Sequence, residues 1–318
     1  MVDPPAAKRS ASKKRLRWEQ LPADARTEIE RLAGGRAATA GNCTGGFSPG
    51  LASRLRLTNG RRVFVKAMDA VEWPDQAIWY RAEAFVSESL PSDVPAPRLL
   101  GWNDDGRWVV LVFECIDGAE PDLRRNPADA FRIAAALDNL AGLVTPSPVP
   151  VPSDHPRLGG WAELAADDDR LARLPQFSPW AAEHLSFLIE LEHVGLAAAH
   201  GDSLVHFDAF PHNILISGER VLLVDWPHAR LGAPFLDLIM FASSVGSMGI
   251  DAELLLADRA ALGGQDPCVI DAVIAAYTGF CVRGSLWRPE PELAPIIAAK
   301  AELGAAATAW LRRRLASR

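Results

Sequence analysis

The sequence predicts an α+β chain of two lobes, a small antiparallel sheet followed by a larger, mainly helical part. Three observations predict it: a period-two hairpin early in the chain, helical periodicity over most of the remaining residues, and a length of 318 residues, above the usual single-domain range. The expected divisions are a basic tail over residues 1–16, a first lobe over 17–116 and a second over 117–318.

Composition narrows the function classes. Hydrophobic residues make up 49% and charged residues 23%, an ordinary globular balance. The net charge of −7 argues against a nucleic-acid-binding body, although Lys8, Arg9, Lys13, Lys14, Arg15 and Arg17 make the start locally basic. That run reads as a solvated arm. No run reaches the about 18 to 20 apolar residues of a membrane span, and the tail lacks the apolar stretch of a secretory signal, so a cytoplasmic protein is expected. Cys43, Cys115, Cys268 and Cys281 show no paired spacing and read as free thiols in a reducing compartment. Nothing in the pattern fixes the oligomeric state.

Each element has its own local signal. "LASRLRL" (Leu51 to Leu57) alternates apolar and polar residues, "TNGR" supplies an Asn-Gly turn, and "RVFVKAM" resumes the strand, which makes a hairpin. Before it, "GGFSPG" (Gly45 to Gly50) is a loop able to bring backbone N–H groups against phosphate, or a plain surface turn. "DQAIWYRAEAFVSESL" carries Ile78, Ala82, Phe85, Val86 and Leu90 at helical spacing between Pro74 and Pro91. "VPAPRLLGW" reads as an extended connector and "RWVVLVFECIDG" as a buried strand entering a turn. The Pro-rich stretch from Thr145 to Pro156 then interrupts a series of helical patterns. Acidic groups in "ELAADDDRLARL" suit a helix start, or attract a cationic substrate.

The chemistry concentrates in "LVHFDAFPHNILI", Leu204 to Ile216. "ILI", "SGER" and "VLLV" form a second hairpin, which carries Asn213 to within a residue of Asp225 in register. An amide oxygen and a carboxylate so placed can share one hard cation such as Mg²⁺. Asp208, five residues before Asn213, could accept a proton from a hydroxyl beside a metal-bound phosphate. His206 reads as a brace for this loop.

"HFDAFPHN" resembles the H-x-D-x-x-x-x-N loop of the aminoglycoside phosphotransferase and choline kinase-like enzymes, relatives of protein kinases, and "VDW" resembles their metal-binding D-F-G segment. The resemblance implies a bilobal protein-kinase-like fold. It also implies ATP- or GTP-dependent transfer of the γ-phosphate to a hydroxyl of a small molecule, with an aminoglycoside or other antibiotic among the acceptors. Residue by residue, "VFVK" nominates Lys66 for the nucleotide phosphates and "YRAEAF" nominates its partner Glu83. "FECIDG" makes Glu114, Cys115 and Ile116 the segment whose backbone binds a purine, Asp208 becomes the base, and Asn213 and Asp225 become the Mg²⁺ ligands. "GAPFLDL" makes Asp237 structural. The loop before the first hairpin departs from G-x-G-x-x-G, Phe64 stands where a small residue covers the base in protein kinases, and Phe207 precedes the catalytic aspartate. The spelling "HGD" at His200 to Asp202 is a decoy, because Phe207 lies five residues after Asp202 and cannot bind magnesium.

Two other classes remain open on sequence alone. His200, Asp202, His206, Asp208 and His212 could form the metal cluster of a phosphohydrolase, and a silent nucleotide-binding module would keep the fold without the reaction.

Overall fold

Alternation along the first hairpin decides the architecture of the sheet around it. In the computed structural model, which describes residues 15–43, 48–287 and 294–317, the chain forms two compact units. The first comprises residues 1–119 and 215–228, the second 120–214 and 229–318.

In the first unit, helix α1 (Ala23–Ala33) precedes β1 (Ala37–Asn42), β2 (Leu51–Leu57) and β3 (Arg62–Asp69); helix α2 (Pro74–Ser89) then leads to β4 (Leu99–Asp104) and β5 (Trp108–Glu114). The strands form one sheet in the order β1-β2-β3-β5-β4, antiparallel throughout. The expected hairpin is present, with Leu51 opposite Ala67 and Arg56 opposite Arg62. The stretch read as a connector pairs instead as β4, Trp102 lying opposite Leu111, because a neighbouring strand supplies the partners that no local pattern announces.

Period two sends alternate β3 side chains to opposite faces. Val63, Val65 and Ala67 pack with Trp18, Leu21, Ala25 and Ile29 on the α1 side. Met68 packs with Ala77, Tyr80 and Ala84 of α2, and Phe64 lies against that cluster. Lys66 has the parity of Phe64 and Met68, so it emerges on the α2 face. The apolar residues picked out on α2 are divided by this packing: Val86 is buried, whereas Ile78 and Phe85 are 57% and 45% exposed. Small Ala77 and Ala84 face the sheet instead, and with them the carboxylate of Glu83.

Residues 15–21 run beside the loop before β2. Leu16 N–H donates to Pro49 O at 3.0 Å, and Arg15 Nε donates to Ser48 O at 3.3 Å. Residues 44–47, most of the "GGFS" signal, lie outside the described residues, as does the basic run up to Lys14.

The second unit is mainly helical: α3 (Ala128–Leu143), α4 (Trp161–Ala165), α5 (Asp168–Leu171), α6 (Leu174–Phe177), α7 (Pro179–Glu183), α8 (Leu185–Ala198), α9 (Leu236–Val245), α10 (Ala252–Leu256), α11 (Pro267–Ser285) and α12 (Ala294–Ala316). Helix α11 packs against both α8 and α12. By length and composition α11 could cross a membrane, contrary to the expectation that no segment would pass that test. Yet 72% of its most apolar window is buried inside the protein, as befits a core helix.

Two short strands, β6 (Ser203–Val205) and β9 (Arg230–Gly232), pair antiparallel in this unit. The Pro-rich stretch is tied to them, with Ser147 N–H on Asp202 O at 2.6 Å and Leu231 N–H on Pro152 O at 2.8 Å. Asp167 caps α5 by accepting the Arg170 N–H at 2.9 Å, and its other oxygen pairs with the Arg170 side chain. The second hairpin, β7 (Ile214–Ser217) with β8 (Arg220–Leu223), has the "ILI" and "VLLV" pattern, Gly218 turning it at φ 59°.

Candidate active site

Lys66 and Glu83 meet because β3 alternation and the inward face of α2 converge. Lys66 Nζ donates to Glu83 Oε1 at 2.6 Å and Oε2 at 2.8 Å, and to Asp225 Oδ1 at 2.9 Å. Burial opposes the ammonium charge, but the Asp225 and Glu83 carboxylates overcome it and hold Lys66 above the ordinary lysine range. Burial pushes Glu83 up to about 7, an effect the lysine only partly offsets. Three of the residues selected from sequence thus form one network in the first unit. Asp225 keeps a 44% exposed side chain at its open end.

Asp225 holds a left-handed backbone, φ 68°, uncommon for a residue with a side chain. It lies just after β8, so the hairpin delivers it at a fixed distance from a packed strand. Nearby, Tyr80 OH lies 3.0 Å from Ser48 Oγ, which ties the loop before β2 to the helix bearing Glu83. Gly50 is required there: a Cβ would stand 2.5 Å from Tyr80 OH and 2.6 Å from Ala67 O.

At the end of β5, Glu114 N–H is committed to Arg98 O at 2.9 Å, and its carboxylate accepts the Arg98 N–H at 3.0 Å. The backbone N–H groups of Cys115 and Ile116 make no hydrogen bond among the described residues. Of this nominated segment, those two positions retain donors for a ligand.

The second unit carries the other nominated group. His206 and Phe207 donate their backbone N–H groups to the buried Asp237 carboxylate at 2.7 and 2.9 Å. Phe207 is fully buried at φ 61°, and its ring stacks on His155 with centroids 5.7 Å apart. His206 Nδ1 accepts the Asp208 N–H at 3.2 Å, the bracing contact expected of it. Asn213 closes the loop from its far end, Nδ2 donating to Asp208 O at 3.0 Å. The loop therefore presents the Asp208 side chain from a backbone fixed on both sides.

One charged contact to this loop has no counterpart in the linear pattern. Arg157 Nη1 lies 2.8 Å from Asp208 Oδ1. A separation of 51 residues and a Pro-rich setting conceal the pairing. No periodicity or motif spacing could have found it.

The alternative metal cluster is not assembled. His206 is fully buried, whereas His200, Asp202 and His212 are exposed. His200 packs its ring against His155. Among the described residues no group of three His, Cys, Asp or Glu side chains is arranged to hold a metal ion. The four cysteines form no disulfide among the described residues.

Known proteins share this outline. The model of the phosphotransferase enzyme family, APH, matches residues 46–272. No curated protein matches the chain. Among solved structures, a thermostable mutant of aminoglycoside phosphotransferase APH(4)-Ia, in ternary complex with AMP-PNP and hygromycin B, aligns with a TM-score of 0.58 and 12% identity, over 92% of this chain and 98% of that one. A choline/ethanolamine kinase family protein from Mesorhizobium loti aligns with a TM-score of 0.55 and 18% identity, over 92% and 97%. Amicoumacin kinase hAmiN, in complex with AMP-PNP, Ca²⁺ and Ami, gives 0.52 and 11%, over 88% and 94%. These likenesses establish the bilobal kinase-like fold.

Proposed function

The chain belongs to the phosphotransferase enzyme family, and from that premise we propose that it transfers the γ-phosphate of ATP to a hydroxyl group of a small molecule. The network of Lys66 with Glu83 and Asp225 carries the reading. A lysine held charged by two carboxylates, with one of them still 44% exposed, is poised to exchange a carboxylate contact for nucleotide phosphate. A structural ion pair needs no second carboxylate and no strained residue beside it.

In the proposed roles, Lys66 binds the phosphates and Glu83 sets its direction. The backbone donors of Cys115 and Ile116, next to Glu114, take the purine. Asp208 orients the acceptor hydroxyl and receives its proton as the oxygen attacks phosphorus in line. Asn213 and Asp225 fit a hard cation by donor chemistry. The Asn213 amide nitrogen is committed to Asp208 O, while its oxygen accepts no hydrogen bond among the described residues, and Asp225 offers carboxylate oxygen. Bound there, Mg²⁺ would supply positive charge against the phosphates.

Hygromycin B and amicoumacin are ligands of two structural neighbours, so hydroxyl-bearing antibiotics are the first acceptors to test here. The experiment is a phosphate-transfer screen with ATP and GTP against aminoglycosides, macrolides, peptide antibiotics, amino alcohols and sugars. Labelled phosphate on one of these, lost in an Asp208→Asn protein, supports the reading. Transfer to a protein and to none of the small molecules overturns it.

A further inference from the structure

The guanidinium of Arg157 is only partly used by its bond to Asp208. Both side chains are largely buried, 22% and 13% exposed. Arginine carries five N–H donors in a planar fork, and here Nη1 is engaged while Nε and Nη2 bond nothing among the described residues. The backbone that presents the side chain is clamped. Leu158 N–H donates to His155 O at 3.1 Å and Gly159 N–H to Ala276 O at 2.8 Å. The Glu192 carboxylate accepts the N–H groups of Gly160 at 2.6 Å and Trp161 at 2.7 Å. Two other cations of this unit are engaged: Arg283 Nη1 pairs with Glu163, and Lys300 Nζ sits over the Phe280 ring at 4.4 Å.

We propose that Arg157 is an arginine finger supplied in cis, aiming its open donors at the phosphoryl group during transfer. The proposal rests on the phosphotransferase reading above. An acceptor oxygen within about 3 Å of Asp208 must also lie about 3 to 3.5 Å from the phosphorus it attacks. The phosphoryl oxygens then come within reach of a guanidinium already bonded to that same carboxylate. As the acceptor oxygen bonds to phosphorus, its proton passes to Asp208. The bond from phosphorus to the bridging oxygen breaks, and its electron pair leaves with the nucleoside diphosphate. Nη1 keeps the guanidinium fixed against Asp208, while Nε and Nη2 stay open to the phosphoryl oxygens as charge spreads over them. Donors anchored in advance need little reorganisation at that step.

The test uses ATP hydrolysis with water as acceptor, together with the binding of ADP alone and ADP with tetrafluoroaluminate, a mimic of the phosphoryl group in flight. For Arg157→Met, kcat is expected to fall about 10²- to 10³-fold, as when one transition-state donor is removed. ADP affinity and KM for ATP stay near the parent's, but the tightening that tetrafluoroaluminate confers on ADP is lost. Arg157→Lys keeps the charge without the fork and retains part of both. In an Asp208→Asn background, Arg157→Met still weakens binding of the mimic, because the finger acts on the phosphoryl group itself. Thermal melting of both variants separates these effects from misfolding: loss of the buried pair lowers the midpoint of Arg157→Met, but a cooperative transition above the assay temperature shows that it is folded. A folded Arg157→Met protein that binds the mimic as tightly as the parent overturns the finger and leaves the kinase reading standing. A parent protein that binds neither ADP nor the mimic overturns both.

Discussion

Phe207 donates its backbone N–H to the Asp237 carboxylate at 2.9 Å, and this bond helps to hold a left-handed residue directly before the candidate base. A buried phenylalanine at φ 61° is strained by an amount of order 1 to 3 kcal/mol, so its surroundings must over-determine it. The second N–H, from His206, and the stacked His155 ring supply that determination. Asp237→Ala should therefore lower stability by roughly 2 to 4 kcal/mol, since two buried donors lose their acceptor. Chemical denaturation measures the loss, and phosphate transfer should fall further than the folded fraction explains.

The same carboxylate gives a pH dependence. Burial pushes Asp237 up to about 7 from 3.8, against the opposing pull of its two backbone donors. Folding then takes up a proton between these values, so its contribution to stability is complete below pH 3.8 and is lost as pH rises through about 7. Denaturation midpoints measured from pH 4 to 8 should decline across that window. The slope should be shallower in Asp237→Asn but not absent, because Glu83, also raised to about 7, contributes with the same sign.

Glu83→Gln tests the lysine network. Lys66 would keep the Asp225 carboxylate and lose the partner that fixes its direction. Breaking a buried pair on one side costs about 3 to 5 kcal/mol, less whatever the remaining carboxylate restores. The expected result is a lower melting temperature and weaker nucleotide binding, read by calorimetry with ATP. Unchanged affinity would remove Lys66 from the phosphate site.

Asp208 and Asp202 make a paired comparison. Asp208→Asn should slow transfer about 10²- to 10⁴-fold, the usual scale for loss of a general base. Asp202 is exposed, and its described role is to accept the Ser147 N–H through its backbone carbonyl, which a side-chain change leaves in place. Asp202→Asn should accordingly turn over at the parent's rate. The opposite ranking in a steady-state assay would assign the base to the wrong aspartate.

Gly160 joins the Arg157 segment to α4 at φ 154°, and a Cβ there would collide with the Gly279 carbonyl oxygen. Gly160→Ala is expected to cost about 1 to 3 kcal/mol in stability from backbone strain alone. Denaturant unfolding gives the value directly.

By itself, the sequence determined what depends on short range. The Asn-Gly hairpin, the alternation that turns Lys66 away from Val65, and the count from Asp208 to Asn213 are local, because strand period and turn chemistry act over a few residues. Tertiary structure decided what joins distant segments. β4 becomes a strand only when β5 lies beside it, and α2 turns Glu83 rather than Phe85 to the sheet because the sheet presents Lys66. Asp237 acquires its two backbone donors 30 and 31 residues upstream. Arg157 reaches Asp208 across 51 residues, a pairing fixed by where Gly159 and Trp161 are bonded to α11. Such contacts have no period to read, because the free energy that sets them lies in packed surfaces and satisfied hydrogen bonds that exist only after the chain has folded.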